Sequence, residues 1–125
     1  KIMEKLNILL IEDDAIVQHV HKRMLTKLNC EVDIAATGKA ALDMIANNDP
    51  YHIIFIDIGL PDISGFDVIK QIEKEKLAVN IPIIALTGYA GDREKQACFD
   101  AGVTDILHKP VVTSVMQSVL NQYKK

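Results

Sequence analysis

Three carboxylates of this chain directly follow short apolar runs. Glu12 and Asp13 come after Leu6–Ile11, and Asp57 comes after Ile53–Ile56. Carboxylates that lie within a few ångströms of one another repel, so some must take up protons unless a cation lies between them. Carboxylate oxygens on an open rim with room for water suit Mg²⁺, and the sequence offers no His or Cys cluster for a softer metal. The three acids therefore predict a magnesium site, provided that the fold brings them together.

A hydroxyl and an ammonium group follow two later apolar runs in the same way. Thr87 comes directly after Ile83–Leu86, and Lys109 comes shortly after Thr104–Leu107. A lysine and Mg²⁺ would together offset the charge of a phosphoryl group, and a hydroxyl could donate a hydrogen bond to one of its oxygens. An aspartate can itself accept the phosphoryl group. The set predicts phosphoryl transfer, with Asp57 as the acceptor because its strand is central.

The apolar runs alternate with segments of helical spacing, which indicates strands separated by helices. Such strands pair in parallel through right-handed crossovers. The runs are apolar on both faces, as expected where helices cover both sides of a sheet. The chain of 125 residues is about half as long as an eight-fold barrel needs. We therefore predict one α/β domain over residues 1–125, a flavodoxin-like, doubly wound sheet of five parallel strands in the order 2-1-3-4-5.

The same patterns predict where the elements lie. The predicted strands are Leu6–Ile11, Val32–Ala35, Ile53–Ile56, Ile83–Leu86 and Thr104–Leu107. The predicted helices are one capped by Asp14, then Lys39–Asn47, one around residues 66–72, Asp92–Ala101 ending at Gly102, and residues 112–123. Sites in such sheets lie beyond the carboxyl ends of the strands where the strand order reverses, here between strands 1 and 3. The candidate side chains all belong to that edge.

Composition argues against several classes of function. The net charge is −3 and aromatic residues make up 5%, which gives no support to nucleic-acid binding. No apolar run approaches the roughly 20 residues of a membrane span, so we expect no membrane contact by this domain and a cytoplasmic location. Cys30 and Cys98 match no metal or redox spacing. The histidines are interpreted as solvated surface residues: His19, His21, His52 and His108.

Over residues 6–123, the chain resembles the receiver domain of bacterial two-component response regulators. The resemblance rests on four motifs in order: the acidic pair of IEDD, the segment from Asp57 to Gly65, the LTG of Leu86–Gly88, and Lys109-Pro110. Each motif is weak alone, but the combination at this spacing is specific. The segment IALTGYA is similar to receivers of hybrid sensor histidine kinases, so we expect a piece of such a kinase. A DNA-binding regulator and a stand-alone regulator are the alternatives.

The resemblance implies a role for each candidate residue. Asp57 would accept a phosphoryl group from the phosphohistidine of a histidine kinase or histidine phosphotransfer domain. Asp13 and Asp57 would bind Mg²⁺ directly, with the backbone carbonyl of Gly59 as the third protein ligand, and Glu12 would act through a metal-bound water. Lys109, preceding a cis-proline, would pair with the acyl phosphate.

The resemblance also implies a conformational switch. Thr87 would move toward the phosphoryl group, and Ile106, at a position that is commonly aromatic in the family, would turn into the vacated space. A downstream protein would read this change at the face formed by helix 4, strand 5 and helix 5. Ile106, Val111 and Val112 would contribute apolar surface to that face.

Two positions that tune dephosphorylation in the family predict a long-lived phosphoryl group. Gly59 has no side chain that could orient an attacking water, and Tyr89 could shield the phosphoryl group. We therefore expect self-hydrolysis with a half-life well beyond seconds. The domain would catalyse only its own phosphorylation and dephosphorylation.

Three other functions compete with this interpretation. A Mg²⁺-dependent phosphohydrolase with an aspartate nucleophile would need an acid at position 59 and a cap domain, whereas this chain has Gly59 and no room for a cap. A flavodoxin-like nucleotide binder would need a phosphate loop after strand 1, where this chain has acids. A degenerate receiver that serves only as an interaction module is the last alternative, which the complete set of acids, Thr87 and Lys109 disfavours.

Overall fold

The computed structural model describes residues 5–88 and 91–124. Within them, five strands alternate with five helices: β1 Leu6–Ile11, α1 Ala15–Lys27, β2 Cys30–Ala35, α2 Gly38–Asn47, β3 Ile53–Asp57, α3 Gly65–Lys74, β4 Ile83–Thr87, α4 Asp92–Ala101, β5 Asp105–His108 and α5 Thr113–Tyr123. The predicted alternation of strands and helices is confirmed.

All four strand pairs are parallel, and the sheet order is β2-β1-β3-β4-β5. The predicted fold class is therefore confirmed. The strand order reverses at β1, which pairs with β2 on one side and β3 on the other. Every residue of β3 and of β4 is buried, because helices cover both faces of the sheet.

The buried apolar side chains form two clusters, one on each face of the sheet. Alternation along β1 separates them: Leu9 and Ile11 belong to one cluster, Ile8 and Leu10 to the other, as the two-residue period of a strand requires. Helices α2, α3 and α4 cover the first cluster, and α1 and α5 cover the second. The two layers of helices hold the sheet rigid, so the strand ends keep fixed relative positions.

Capping residues account for several of the helix boundaries. The Asp14 side chain accepts hydrogen bonds from the backbone N–H groups of Ile16 and Val17, as predicted for the cap of α1. The predicted bounds of α4 are confirmed, and Gly102 ends it in the left-handed conformation with φ 118°, which glycine adopts without a Cβ penalty.

The predicted bounds of four strands differ from those observed by one or two residues. β3 and β4 each end one residue later than predicted, at Asp57 and Thr87. β2 begins at Cys30, two residues before the predicted start, and β5 begins at Asp105, one residue after it. At the start of β5, the Thr104 hydroxyl accepts a hydrogen bond from Ile83 N at 3.1 Å. A side-chain oxygen therefore satisfies a backbone donor that a longer β5 ladder would have used.

Gly65 allows the loop after β3 to fold back onto the strand end. Its N–H donates to the carbonyl of Ile58 at 2.9 Å. A Cβ at this position would lie 2.6 Å from Ile58 Cα and 2.8 Å from the carbonyl oxygen of Asp57. Backbone approaches this close exclude any side chain, so the glycine sets where α3 starts relative to Asp57.

Both cysteines are buried free thiols. Burial raises the pKa of Cys30 and of Cys98, as expected for inert core thiols. Within the described ranges, every helix is too short or too polar to cross a membrane.

Candidate functional site

The three predicted carboxylates meet at the carboxyl edge of the sheet. Glu12 and Asp13 follow β1, Asp57 ends β3, and the pairing of these two strands places them side by side. One carboxylate oxygen from each residue lies within 4.8 Å of one from each of the others. Glu12 is fully buried and Asp57 is 6% exposed, whereas Asp13 is exposed. The site therefore has a buried floor and an open rim.

Lys109 supplies the positive charge of this site. Its Nζ lies 3.2 Å from Glu12 Oε1 and 3.2 Å from Asp57 Oδ1. The backbone N–H of Lys109 donates to the carbonyl of Thr87 at 2.8 Å, which ties the loop after β5 to the end of β4. The peptide bond between Lys109 and Pro110 is cis, as the resemblance implied.

Charge repulsion and burial act on this cluster together. Burial, and secondarily the charge of Asp57, raise the pKa of Glu12 to about 7. Burial alone would lower the pKa of Lys109, but Asp57 and Glu12 outweigh it and raise that pKa above its usual range. The cluster thus carries more negative charge than one lysine can offset.

This donor set suits a hard divalent cation. The carboxylate oxygens of Glu12, Asp13 and Asp57 are the ligands that Mg²⁺ prefers, and the exposed position of Asp13 leaves room for the waters that Mg²⁺ retains. A cation here would also relieve the repulsion that raises the pKa of Glu12.

Gly59 lies beside the carboxylate of Asp57. Its backbone N–H donates to Asp57 Oδ1 at 3.1 Å, and a Cβ at position 59 would lie 3.9 Å from the same oxygen. A side chain at this position would therefore extend into the space beside that carboxylate. Tyr89, the other position predicted to tune dephosphorylation, lies outside the described residues.

Thr87 lies at the end of β4 and is 5% exposed. Its hydroxyl donates a hydrogen bond to Glu94 Oε1, at 3.0 Å, in the first turn of α4. In the sequence, the charged run Asp92–Lys95 is typical of a solvated helix start, and it predicts no contact between Glu94 and Thr87. The sequence does place an acid in the first turn of the helix after Thr87, but the packing of α4 on the sheet decides whether the two side chains meet.

Apolar residues are exposed on α4 and at the start of α5, as predicted, but one of the residues predicted for this face is buried. Phe99, Val112 and Val115 are exposed, and Ile106 is half-buried against the cluster under α2, α3 and α4. Val111 was predicted to be part of this face, but it is only 3% exposed. Its side chain packs in the core cluster under α1 and α5.

The interpretation of the histidines as surface residues holds for His19 and His108. It is wrong for His21, which is fully buried and whose Nε2 accepts a hydrogen bond from Val111 N–H at 3.2 Å. His52 is half-buried, and its Nδ1 accepts from Asn7 N–H at 2.8 Å. Both side chains satisfy backbone donors that lie far away in the sequence, so local patterns do not reveal them.

The chain is similar in sequence to receiver domains and to histidine kinases that contain them. The model of the response regulator receiver domain matches residues 8–121. The aerobic respiration control sensor protein ArcB of Escherichia coli is 34% identical over 119 residues, covering 94% of this chain and 15% of ArcB. The hybrid signal transduction histidine kinase L of Dictyostelium discoideum is 32% identical, covering 94% of this chain and 7% of that kinase. This chain thus spans a small part of both relatives.

Solved structures of receiver domains have the same fold. The receiver domain of the sensor histidine kinase PA1611 from Pseudomonas aeruginosa superposes with a TM-score of 0.87 at 31% identity, covering 95% of this chain and 97% of that one. That structure holds a magnesium ion in its active-site cleft. The chemotaxis protein CheY4 of Vibrio cholerae, at 24% identity and a TM-score of 0.88 over 95% of this chain and 98% of its own, shares the fold.

We expect Glu12→Gln to change how the stability of the metal-free protein depends on pH. The pKa of Glu12 is raised from 4.5 to about 7 in the folded protein, so the folded state holds a proton that the unfolded chain releases. The stabilisation from that proton is complete below pH 4.5 and is lost as the pH rises through about 7. The free energy of unfolding of the wild type should therefore fall relative to the variant, by up to roughly 3 kcal/mol.

Urea unfolding in a chelator, followed by circular dichroism from about pH 4 to 8, measures this difference. Asp43→Asn is the control because Asp43 is an exposed carboxylate on α2. Parallel pH profiles for the wild type and Glu12→Gln would contradict the raised pKa.

Proposed function

The chain belongs to the response regulator receiver domain family, and from this premise we propose that it is a phosphoacceptor switch of a two-component phosphorelay. The observation that carries the proposal is the arrangement around Asp57. Two further carboxylates lie close to it, and the Lys109 ammonium lies 3.2 Å from its Oδ1. A degenerate receiver would have no need for such a costly cluster of buried charges.

In the proposed reaction, a carboxylate oxygen of Asp57 attacks the phosphorus of a phosphohistidine on the donor protein. A P–O bond forms as the P–N bond breaks, and the electron pair of that bond stays on the departing imidazole. Lys109 is positioned to offset the charge that spreads over the phosphoryl oxygens. Its contact with Glu12 keeps the ammonium in place while Asp57 changes from a carboxylate to an acyl phosphate.

We propose that Asp13, Asp57 and the backbone carbonyl of Gly59 hold Mg²⁺, with Glu12 acting through a bound water. When bound, the ion would add positive charge next to the phosphoryl oxygens and offset the repulsion among the acids. The exposure of Asp13 supports an open site that the donor can reach.

The phosphoryl donor is proposed to be a histidine kinase or a histidine phosphotransfer domain. A donor side chain must reach Asp57 from the open rim, and exposed apolar residues flank that rim. Ile16 and Val20 of α1 are 75% and 43% exposed, and they line a surface pocket with Lys109 and Pro110. Such a patch beside the acceptor suits docking of an apolar partner surface.

The switch proposed for the phosphorylated state uses Thr87 and Ile106. Thr87 would exchange its hydrogen bond to Glu94 for one to a phosphoryl oxygen, and Ile106 would turn inward. A downstream protein would then bind at the face formed by α4, β5 and α5, where Phe99, Val112 and Val115 are exposed. A single charged group would thereby bias a two-state surface.

The chain is proposed to be one receiver domain, residues 1–125, of a longer hybrid sensor kinase that acts in the cytoplasm. The similarity to ArcB and to the Dictyostelium kinase, each much longer than this chain, supports this origin. A phosphohydrolase is less compatible with the site because position 59, where an acid would be needed, is a glycine.

We expect acetyl phosphate with Mg²⁺ to add one phosphoryl group to the wild type and none to Asp57→Ala. Asp57 is the proposed acceptor beside Lys109, and the other carboxylate beside Lys109, that of Glu12, is fully buried and out of reach of the donor. Intact-protein mass spectrometry measures the adduct. Asp43→Ala, at an exposed carboxylate on α2, should be modified like the wild type, and an adduct that persists in Asp57→Ala would refute the acceptor.

Gly59→Asn should speed the loss of the phosphoryl group by roughly threefold to tenfold, because an amide beside Asp57 could orient an attacking water. The slow hydrolysis expected of the wild type is measured after acetyl phosphate is removed in Mg²⁺. Gly59→Ala is the matched control, since its Cβ would lie 3.9 Å from Asp57 Oδ1 but carries no polar group. Equal rates for the Asn and Ala variants would exclude the water-orienting argument.

Glu94→Gln should raise the affinity for beryllofluoride, a phosphoryl analogue, by roughly threefold to tenfold, because a neutral acceptor holds the Thr87 hydroxyl less strongly than a carboxylate does. Titration calorimetry in Mg²⁺ measures the affinity. Asp92→Asn is the control. Asp92 is exposed in the first turn of α4, and its substitution removes the same charge as Glu94→Gln does. In a Thr87→Ala background, Glu94→Gln should no longer raise the affinity for beryllofluoride. If Asp92→Asn raised the affinity equally, the cause would be long-range charge and not the hydrogen bond to Thr87.

A further inference from the structure

His21 connects helix α1 to the loop that carries Lys109. It lies on the inner side of α1 and is fully buried. Its Nε2 accepts a hydrogen bond from the backbone N–H of Val111 at 3.2 Å, across 90 residues of sequence. A histidine on an apolar helix face is costly to bury, so the hydrogen bond to Val111 must offset part of that cost.

The contact requires one tautomer of neutral imidazole. Because Nε2 accepts from Val111 N–H, it carries no proton, and the ring proton must lie on Nδ1. Nδ1 is buried and has no hydrogen-bond partner among the described residues. The side chain thus leaves one donor unsatisfied while it accepts from Val111, which indicates that the accepting contact is the one that holds it.

The loop containing Lys109 is anchored by two backbone hydrogen bonds, and His21 makes one of them. At Lys109, the backbone N–H donates to the carbonyl of Thr87 at 2.8 Å. Two residues later, the backbone N–H of Val111 donates to His21. The following residue, Val112, caps α5 without a side-chain hydrogen bond in the described part of the chain. Helix α5 therefore holds the loop through the buried side chain of Val111 and not through a cap hydrogen bond.

We propose that His21 is a positioning residue for Lys109 and thereby for phosphoryl transfer to Asp57. The ammonium must stay within 3.2 Å of both Glu12 and Asp57, and a displacement of the loop by a fraction of that distance would weaken both ion pairs. His21 holds the backbone at Val111, two residues after Lys109, whereas Thr87 holds it at Lys109 itself. This inference rests on the proposed function, because its effect is on the phosphorylation rate.

The experiment compares His21→Leu, which removes the acceptor, with His21→Gln, whose side-chain oxygen can reach a similar position. The rate of Asp57 phosphorylation by acetyl phosphate at saturating Mg²⁺ is the main measurement. His21→Leu should slow it by roughly threefold to tenfold, as expected for the loss of one hydrogen bond that orders the site, whereas His21→Gln should restore most of the rate.

A double-mutant cycle tests whether the effect passes through Lys109. In a Lys109→Met background, His21→Leu should cause no further slowing, since there is no ammonium left to misplace. Leu25→Ala is the matched control for stability because Leu25 is fully buried in the same helix. It should lower the melting temperature while leaving the rate unchanged. Equal slowing by Leu25→Ala, or by His21→Leu in both backgrounds, would overturn the proposal.

A measurement on the unmodified protein covers the case in which His21→Leu does not fold. Nitrogen-15 spectra of the imidazole should show His21 neutral at pH 7.5, with its proton on Nδ1 and Nε2 unprotonated. A proton on Nε2 would exclude the contact with Val111 and the proposal with it. If the wild type takes up no phosphoryl group from acetyl phosphate, the proposed function fails, whereas the imidazole spectra still decide the contact.

Discussion

The ion pairs of Lys109 are the interaction on which the site depends. One ammonium lies 3.2 Å from Glu12 and 3.2 Å from Asp57, and both carboxylates are almost completely buried. Two acids cannot share a buried floor without a cation or a proton. Burial, and secondarily the charge of Asp57, raise the pKa of Glu12 to about 7, so Lys109 does not fully offset the two acids. The remaining negative charge suits the divalent cation that we propose for this site.

The parallel sheet makes this concentration of charge possible. In parallel strands, all carboxyl ends lie at one edge, so residues from β1, β3, β4 and β5 meet although they are distant in sequence. The strands themselves are apolar and buried between two layers of helices. The free energy gained by burying the apolar core therefore offsets the cost of burying the acids. The loops beyond the strand ends contribute less to the core, and their residues can vary with function.

Two of the hydrogen bonds between the site and the surrounding helices differ in character. Thr87 donates to Glu94 on α4, and Val111 donates to His21 on α1. In the proposed function, Thr87 exchanges the first contact for one to a phosphoryl oxygen on Asp57. The second joins a buried ring to a backbone donor, which suits a fixed support. The site thus has a movable contact on one side and a rigid one on the other.

The sequence by itself determined the fold class, the strand order, the bounds of α4 and the identity of the acids, Thr87 and Lys109. These depend on local patterns: the two-residue and helical periods of apolar residues, caps such as Asp14 and Gly102, and polar residues at strand ends. The start of β5 lies one residue after the predicted one because the Thr104 hydroxyl, not a longer ladder, satisfies Ile83 N–H. Only the tertiary structure decided that His21 is buried, that Val111 turns inward and that Glu94 holds Thr87. The His21 and Val111 contact joins groups 90 residues apart, and the Glu94 contact depends on the angle at which α4 leaves the sheet. Neither distance nor angle is encoded in a local pattern, because both result from how the helices pack on the sheet.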